Sequence, residues 1–567
     1  MKFPAAAALL LAGLALAASA PAAPAAPAAP AAPPQYGSGP IDPARLSEIT
    51  RVLASDEYEG RAPGSAGETR TIAYLSEQFK KLGLEPGGEN GGWTQAVPMI
   101  RTQLKAPGSF SIEAKGGPLP VRFPSDIYLS TVRPIEQARI EAAPMVFVGY
   151  GVSAPERQWD DFKGVDLKGK IAVFLVNDPD FEAAAADPVA NRFGGRAMTY
   201  YGRWSYKFEE AARRGAVAAL VVHETEGAGY GWSTVEAPGG ENYNIVQAAG
   251  AQQPVLLQGW IQRPLAAELL KRAGHDFEAV KRSARTASFK PIDLGARFSA
   301  DVGVTLSRIQ SHNVFAKITG SKRPEETVIF AAHWDSFGTG APDAQGRRVR
   351  AGAVDDALGV AGVIEIARAF KAGPRPERTL VFAAWTAEER GLLGAEHYGA
   401  HPLYPHETTV ANLTLDVLQT AGRARDVILI GAGQNEMEDE LARAAARQGR
   451  TVTPDAAPER GLFYRADHFA LARRGVPGLL LMALGGGVDL VEGGRAAGEQ
   501  WVADYTANCY HKPCDAWSAD WDLRGAAQDV ALAYEIGRDL ANSNRWPGWK
   551  AGSEFRDLRA KSAAARR

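Results

Sequence analysis

The sequence lacks an excess of charge of either sign. Its 63 lysine and arginine residues nearly balance its 65 aspartate and glutamate residues, which gives a formal net charge of −2. Nucleic-acid-binding proteins normally carry a basic excess or a basic stripe, so the composition argues against that class of partner. The 46% of hydrophobic and 23% of charged residues are ordinary for a soluble globular protein.

Long apolar runs are missing beyond residue 20. No later segment approaches the roughly 20 apolar residues that a membrane helix needs. Residues 1–20 combine a basic start at Lys2, an Ala/Leu run and the small residues Ala18-Ser19-Ala20. This pattern predicts a cleaved signal peptide, with an N-terminal membrane anchor as the alternative. We therefore expect an exported protein, periplasmic or extracellular, that has no membrane span after signal cleavage.

Cysteine is scarce, since only Cys509 and Cys514 occur in 567 residues. Export places them in an oxidising compartment, where a short-loop disulfide is favoured and two unpaired thiols are the alternative. No cysteine lies near the N-terminus, so lipoprotein attachment has no support. The sequence also has no Gly-x-Ser-x-Gly nucleophile elbow and no phosphate-binding loop.

The composition of the chain and its pattern of apolar residues differ between three regions. Residues 21–40 are rich in Pro and Ala, which predicts an extended spacer without large side chains to bury. Short apolar runs broken by Gly and Pro follow from about residue 110 and predict a β-rich module. From about residue 310, continuous apolar runs such as 328–332 and 380–384 alternate with helical patterns such as 357–371. This alternation predicts an α/β sandwich around a mostly parallel or mixed sheet.

Potential metal ligands follow the predicted strands of this last region. Ligands in open α/β folds bind beyond the carboxyl ends of the strands, so these side chains are expected to converge. Each is weak alone, because paired glutamates usually lie on a solvated helix face and most histidines are structural. Together they form a mixed nitrogen and oxygen set that suits Zn²⁺. The candidate residues are His333, Asp335, Asp355, Glu388, Glu389, Asp416 and His511.

Taken together, these segments resemble a known family, the co-catalytic di-zinc exopeptidases of the bacterial aminopeptidase and glutamate carboxypeptidase type. The residues from 164 to 171 and from 215 to 219 resemble the protease-associated domain that is inserted in some of these enzymes. The family resemblance is carried by Glu59-Gly60-Arg61-x-x-Gly64, His333-Trp334-Asp335, Gly352-Ala353-Val354-Asp355-Asp356, Glu388-Glu389-Arg390-Gly391, Leu415-Asp416, Arg465-Ala466-Asp467-His468-Phe469 and Tyr510-His511.

The resemblance implies a three-layer α/β/α zinc-exopeptidase fold with an inserted β-rich protease-associated domain. The implied division of the chain is a signal peptide (1–20), a Pro/Ala-rich linker (21–40), the N-terminal part of the peptidase domain (41–110), the inserted domain (111–300), the di-zinc peptidase domain (301–550) and a polar C-terminal tail (551–567).

The resemblance also implies two Zn²⁺ ions that share one ligand. Asp355 would bridge them, and the family often has a cis peptide bond after this residue, here before Asp356. The other ligands would be His333 and Asp416 for one ion and Glu389 and His511 for the other.

The implied mechanism uses a water molecule shared by the two ions, whose pKa falls to roughly 7. Glu388 would take the proton of this water and pass it to the leaving amine. Tyr510 would donate a hydrogen bond to the developing oxyanion. Asp335 would orient the ligand His333.

Arg465 and Asp467 lie where the family places residues that position the substrate, although an ion pair at the start of a helix is the alternative. A Cys509–Cys514 bridge would hold the intervening Tyr510 and its neighbour rigid, which is a hypothesis about preorganisation.

The expected activity is that of a zinc-dependent aminopeptidase, a hydrolase that removes N-terminal residues from peptide substrates. One alternative is a carboxypeptidase or dipeptidase of the glutamate carboxypeptidase type. A glutaminyl cyclase-like acyltransferase with one zinc is disfavoured, because both ligand sets are complete. A receptor-like protein without catalysis is disfavoured for the same reason. The sequence makes no prediction of the oligomeric state.

Overall fold

A computed structural model describes residue 1 and residues 40–236, 238–248 and 250–566. The predicted signal peptide and Pro/Ala-rich linker lie outside the described residues, apart from their first and last positions. Of the helices in the described part of the chain, none is both long and apolar enough to cross a membrane.

The elements are numbered in chain order. The α-helices are α1 (Pro43–Leu53), α2 (Ala66–Lys81), α3 (Trp204–Arg213), α4 (Thr225–Ala228), α5 (Trp232–Glu236), α6 (Arg263–Arg272), α7 (Phe277–Ser283), α8 (Leu358–Ala372), α9 (Leu393–Ala400), α10 (Met437–Arg447), α11 (His468–Ala472), α12 (Gly494–Asp504), α13 (Arg524–Ala541) and α14 (Arg556–Lys561).

The strands are β1 (Glu85–Pro86), β2 (Thr94–Leu104), β3 (Ser109–Ala114), β4 (Gly117–Leu119), β5 (Ile127–Ser130), β6 (Gln137–Phe147), β7 (Ser153–Ala154), β8 (Trp159–Asp160), β9 (Ile171–Leu175), β10 (Ala218–His223), β11 (Glu241–Ile245), β12 (Leu257–Gln262), β13 (Ile292–Ile318), β14 (Arg323–His333), β15 (Gly338–Thr339), β16 (Val349–Arg350), β17 (Arg378–Trp385), β18 (Thr409–Leu415), β19 (Asp426–Leu429), β20 (Thr451–Pro454) and β21 (Gly478–Leu481).

Four parallel strands form the part of the sheet at whose carboxyl ends the metal-ligand candidates were predicted. Their order is β21-β18-β14-β17. Side chains of a strand point alternately to the two faces of its sheet, and both faces are covered here. Phe330 of β14 packs in a cluster with residues of α8 and α13, whereas its neighbour Ile329 packs in a second cluster with residues of α9 and α11. The predicted three-layer α/β/α sandwich is confirmed.

The middle module, residues 111–300, contains a second parallel set. Its strand order is β6-β9-β10-β12, with β5 antiparallel at the edge. In β9, Val173 faces one hydrophobic cluster and Phe174 faces another. A continuous apolar run of this kind is typical of a strand that is covered on both faces. The identity of the module as a protease-associated domain stays a prediction.

One strand joins the two parallel sets. β13 is 27 residues long and pairs antiparallel with β6 along its first part and with β17 along its last part. Both sets therefore belong to one sheet of 15 described strands. The predicted boundary at residue 300 falls inside this strand, and the domain boundaries stay predictions.

The apolar residues at helical spacing between residues 66 and 82 predict a helix, and α2 forms there. Its N-cap residue Ser65 accepts a hydrogen bond from the main-chain N–H of Glu68 at 3.2 Å. Leu75 and Phe79, four residues apart, are buried on one face. Gly83 follows with a φ of 70°, a conformation that suits glycine at a helix end.

Candidate metal centre

The candidate ligands of the central sheet follow three adjacent strands. His333 is the last residue of β14, Asp416 directly follows β18, and Glu389 lies four residues after the end of β17. These strands are parallel neighbours in the order β18-β14-β17. Their carboxyl ends therefore meet at one edge of the sheet, as the sequence predicted.

Asp355 reaches this edge from the turn between β16 and α8. Gly352 opens the turn with a φ of 54°, and a Cβ at this position would lie only 2.3 Å from the carbonyl oxygen of Asp355. The peptide bond between Asp355 and Asp356 is cis, as the resemblance implied. Asp356 accepts hydrogen bonds from the main-chain N–H groups of His333 at 3.2 Å and Gly359 at 3.0 Å. This carboxylate fixes the turn to the end of β14.

The two oxygens of Asp355 face two different histidines. Oδ1 lies 3.0 Å from Nε2 of His333, and Oδ2 lies 3.3 Å from Nε2 of His511. Donor atoms of His333, Asp355 and Asp416 lie within 4.8 Å of one another, and the same holds for Asp355, Glu389 and His511. Asp355 is thus shared by two sets of three potential ligands.

The donor chemistry fits zinc. Ligand atoms about 2.0–2.2 Å from a tetrahedral zinc ion lie about 3.3–3.6 Å apart, close to the separations seen here. Oδ1 of Asp416 and Oε1 of Glu389 are buried and have no hydrogen-bond partner among the described residues. A buried oxygen without a partner is costly, so these atoms require a cation or a donor that the protein itself does not supply.

The pKa shifts at the site also indicate that it favours bound cations. Burial, and after it the charge of Asp355, raise the pKa of Glu389 to about 7. Burial lowers the pKa of His511, but the carboxylates of Glu389 and Asp355 outweigh it and raise this pKa to about 10. The site therefore holds more negative charge than its two imidazoles can neutralise, which favours bound cations.

Glu388 and Asp335 are coupled through the main chain. Asp335 Oδ1 accepts a hydrogen bond from the N–H of Glu388 at 3.0 Å. The carboxylate of Glu388 lies 3.9 Å from Nε2 of His333, and its side chain keeps 11% of its surface exposed. Nδ1 of His333 is 3.1 Å from the main-chain oxygen of Asp335 and 3.7 Å from its carboxylate. The main-chain oxygen is thus the nearer partner of His333, and the predicted role of the Asp335 carboxylate stays a prediction.

His511 lies in a short loop that is closed by the Cys509–Cys514 disulfide. The ring of Tyr510 lies against the ring of His511, with 3.7 Å between their centroids. The predicted ligand and the predicted hydrogen-bond donor are therefore adjacent, and both are partly exposed.

Asp515 is a residue of the site that the sequence analysis missed. Its buried carboxylate accepts hydrogen bonds from the N–H groups of Val354 at 2.8 Å and Asp355 at 3.1 Å, and from the hydroxyl of Tyr505 at 3.0 Å. It connects the loop of His511 to the turn of Asp355. The only signal in the sequence was its position four residues after His511.

Arg61 is a second residue for which the sequence gave no role, although it lies in a quoted motif. Its guanidinium is fully buried. It donates hydrogen bonds of 2.5–2.8 Å to four main-chain oxygens, those of Leu53, Trp334, Ala351 and Gly352. Arg61 therefore fastens the N-terminal part of the chain to the two segments that carry His333 and Asp355.

Asp467, one of the two predicted pocket residues, interacts electrostatically with the candidate metal ligands. Asp467 is buried, and its Oδ1 has no hydrogen-bond partner among the described residues. Burial raises the pKa of its carboxyl group well above the usual range, and the charges of Asp335, Asp416 and Glu389 add to this effect. Arg465 is partly exposed, and in the described part of the chain it forms no ion pair with Asp467.

The mixed α/β sheet of this chain thus collects histidines and carboxylates at the carboxyl ends of its parallel strands. Residues 313–535 match the family model of peptidase family M28. Over these residues the chain is therefore similar to peptidase family M28.

The chain is also similar to individual proteins of this kind. It is 44% identical over 84 residues to a "Probable zinc metalloprotease" of Pyrenophora teres f. teres, which covers 15% of this chain and 17% of the relative. It is 37% identical over 113 residues to human "Carboxypeptidase Q", which covers 20% and 21%. The chain thus spans about a fifth of these relatives' length. The structure of an aminopeptidase from Aneurinibacillus sp. strain AM-1 aligns over 90% of this chain and 95% of its own, with a TM-score of 0.47 and 20% identity.

Proposed function

We propose that this protein is an exported aminopeptidase that holds two zinc ions and removes N-terminal residues from peptides. The observation that carries the proposal is the shared Asp355, whose two oxygens face two separate sets of potential ligands. The unpartnered oxygens of Asp416 and Glu389, one in each set, support it.

In this proposal His333, Asp355 and Asp416 would hold one ion, and Asp355, Glu389 and His511 would hold the other. Two zinc ions bound there would polarise the scissile carbonyl and make a water molecule nucleophilic at neutral pH. Asp515 and Arg61 would keep the ligand-bearing segments in place through their main-chain hydrogen bonds.

Glu388 is the proposed general base. It lies among the ligands but belongs to neither set, and its side chain is 11% exposed. It would accept the proton of the attacking water and return it to the leaving amine. The hydrogen bond from its N–H to Asp335 fixes its main chain while its carboxylate stays free to take up that proton.

Tyr510 is the proposed donor to the oxyanion. Burial, and after it the charge of Asp355, raise the pKa of its hydroxyl well above the usual range. The hydroxyl therefore keeps its proton at neutral pH and can donate it in a hydrogen bond to the developing oxyanion. Such a bond accelerates the reaction because it strengthens as charge develops.

The choice of an aminopeptidase over a carboxypeptidase depends on Asp467. Its buried Oδ1 has no donor among the described residues, although it lies near Asp335, Asp416 and Glu389. A free α-ammonium group would supply both a donor and a compensating charge there. This supports binding of the amino end of a peptide. The similarity to carboxypeptidase Q keeps a carboxypeptidase or dipeptidase as the second candidate.

Export is supported by the signal-peptide pattern of residues 1–20 and by the Cys509–Cys514 disulfide, since disulfides persist mainly in oxidising compartments.

Hydrolysis of a substrate panel tests the proposal. The panel contains aminoacyl-p-nitroanilides, peptides with a blocked amino end and glutamate-terminated dipeptides, each with and without a chelator. We expect chelator-sensitive cleavage of substrates with a free amino end, restored by zinc. Cleavage confined to amino-blocked or glutamate-terminated substrates would replace the aminopeptidase by the second candidate, and cleavage that resists the chelator would contradict the metal-dependent mechanism.

A further inference from the structure

Strand β11 brings the middle module to the loop that carries Glu388 and Glu389. This strand pairs antiparallel with β2, which pairs in turn with β13. The ring of Tyr243, at the centre of β11, packs against a hydrophobic cluster that includes Ala387 and Leu393. Ala387 directly precedes the two glutamates, and Leu393 follows them by four residues. The module therefore packs against the base of this loop.

Arg390, the next residue of the loop, contacts two aromatic rings. Its Cζ lies 4.8 Å from the centroid of the Tyr243 ring and 4.9 Å from that of the Phe337 ring. A guanidinium at this distance is attracted by the face of the ring. Nη1 lies 3.8 Å from a carboxylate oxygen of Glu241, which also belongs to β11, and the side chain of Arg390 is 19% exposed. Two of these three contacts of Arg390 are thus made with the module.

Phe337 connects Arg390 to His511. The ring of Phe337 lies 4.6 Å from the imidazole of His511, centroid to centroid. Nε2 of this imidazole faces the carboxylates of Glu389 at 3.1 Å and Asp355 at 3.3 Å. The contacts therefore run from the module through Arg390 and Phe337 to a proposed zinc ligand.

The two candidate histidines are oriented in different ways. A histidine that binds a metal usually donates from its other ring nitrogen to a carboxylate or a carbonyl oxygen, which fixes the ring. Nδ1 of His333 has such a partner, the main-chain oxygen of Asp335 at 3.1 Å. Nδ1 of His511 has no hydrogen-bond partner among the described residues, and its side chain is 35% exposed. The orientation of His511 therefore depends on the groups that pack against its ring, those of Phe337 and Tyr510.

We infer that Phe337 and Arg390 are positioning residues for His511. Strand β11 of the middle module completes their support through Tyr243 and Glu241. The inference rests on the proposed function, because it requires that His511 holds a zinc ion. It gives the middle module a part in metal binding, although none of the proposed ligands belongs to the module.

Zinc affinity tests the inference without any substrate. Loss of support at His511 should weaken one of the two zinc ions and spare the other, because the ring of His333 is buried and has its own hydrogen bond. In the variants Phe337→Leu and Arg390→Gln we expect one dissociation constant to rise about 10- to 100-fold. Competition with a chromophoric chelator measures both constants, and urea unfolding shows whether each variant is folded.

Two controls separate positioning from packing. Phe337→Tyr keeps an aromatic ring against His511 and should keep both dissociation constants. Arg263→Gln removes another guanidinium of the module that lies over a ring, 5.2 Å from the centroid of Phe277, and should also leave both constants unchanged. The inference is wrong if Phe337→Leu and Arg390→Gln weaken both ions equally or weaken neither. It is also wrong if Phe337→Tyr loses as much affinity as Phe337→Leu.

The part of the module is tested by combining variants across the contact. Tyr243→Leu should weaken the same zinc ion by about 2- to 10-fold, because one ring is lost from Arg390 while Phe337 and Glu241 remain. Since Tyr243 acts through Arg390, the double variant should bind this ion no more weakly than Arg390→Gln alone. Additive losses, or no loss in Tyr243→Leu, would exclude the module from metal binding. If Tyr243→Leu does not fold, Glu241→Gln provides the same test from the same strand.

Hydrolysis separates failure of this inference from failure of the proposed function. Cleavage of substrates with a free amino end, with zinc affinities that Phe337→Leu and Arg390→Gln leave unchanged, would retain the aminopeptidase and reject the positioning role. Binding of two zinc ions, one of them weakened in these variants, without cleavage of any such substrate would retain the positioning role and reject the aminopeptidase. A native protein that binds no zinc would contradict both.

Discussion

The sheet contains two sets of parallel strands, β6-β9-β10-β12 in the middle module and β21-β18-β14-β17 in what we call the metal-site half. The two sets have similar residues at their strand ends, but these residues have different partners. In the middle module, Asp178 follows β9 and His223 ends β10, as Asp416 follows β18 and His333 ends β14 in the other half. Both oxygens of Asp178 accept hydrogen bonds from Thr199, from its N–H at 2.6 Å and its hydroxyl at 2.8 Å. Nε2 of His223 lies 3.0 Å from the carbonyl oxygen of Tyr230.

In the metal-site half, by contrast, the corresponding carboxylates are not satisfied by the protein. Oδ1 of Asp416 and Oε1 of Glu389 have no hydrogen-bond partner among the described residues. The residue types at the strand ends are therefore similar in the two halves. What distinguishes a structural aspartate from a candidate ligand is whether the surrounding protein already meets its hydrogen-bonding needs.

The largest expected effect comes from changing Asp355 to asparagine, and the same change at Asp178 is the comparison. Asp355→Asn should lower kcat/KM at least about 1,000-fold and reduce the zinc content, because the shared ligand is lost. Asp178→Asn should keep the zinc content but lower the free energy of unfolding by about 1–3 kcal/mol, because the amide NH₂ faces a Thr199 donor. Zinc is measured by elemental analysis, and stability by urea unfolding. Equal zinc contents in the two variants would show that Asp355 is no more a metal ligand than Asp178.

A smaller effect is expected for Glu388→Gln. This variant should keep both metal sites and lose about 100- to 10,000-fold in kcat, because a positioned base is removed while the ligands stay. The measurement is steady-state hydrolysis with the zinc content determined on the same sample. Loss of zinc to the extent seen with Asp355→Asn would make Glu388 a ligand and not the base.

Asp515→Asn tests whether a carboxylate that is fully hydrogen-bonded within the protein still affects zinc affinity. The amide can accept from only one side, so one N–H of the Asp355 turn loses its partner. We expect zinc affinity or activity to fall about 10- to 100-fold, as for other groups that orient ligands. Competition with a chromophoric chelator measures the affinity. An unchanged affinity together with reduced stability would make Asp515 purely structural.

The smallest effect concerns pH. His468 is fully buried, and burial lowers its pKa from 6.5 to about 3. Between these values only the unfolded chain takes up the proton, so the contribution to stability is complete above about pH 6.5 and declines as the pH falls. Native protein should lose about 2 kcal/mol more than His468→Leu between pH 7 and pH 5. Urea unfolding at the two pH values measures this.

The exposed His275, changed to glutamine, is the control and should leave the pH dependence of the native protein intact. If His468→Leu and native protein lose stability in parallel, His468 titrates at its ordinary pKa in the folded state.

Much of the metal-site half could be predicted from the sequence because its signals are local. The runs at 328–332 and 380–384 contain enough apolar residues to identify strands buried on both faces, and the ligand candidates of these strands lie at the strand end or within four residues of it. The cis bond after Asp355 was expected from the resemblance and the pairing of Cys509 with Cys514 from the predicted export, and both are present.

Contacts between distant parts of the chain could not be predicted in this way. Arg61 reaches Gly352 across 291 positions, and Asp515 reaches Val354 across 161. Arg559 belongs to the predicted polar tail, yet it is buried and donates to the main chain of β18.

The length of β13 determines how the molecule can be cut and recombined. Because this strand belongs to both halves of the sheet, the middle module has no flexible linker on that side. Excision of residues 111–300 would divide a hydrogen-bonded strand, take β11 away from β2 and end the pairing of β6 at Ala300, and unpaired strand edges promote aggregation. A chimera that exchanges the module for another should therefore keep β13 intact, because this strand joins the module to the metal-site half of the sheet. The register of that one strand would then determine the position of the foreign module relative to the metal-site half.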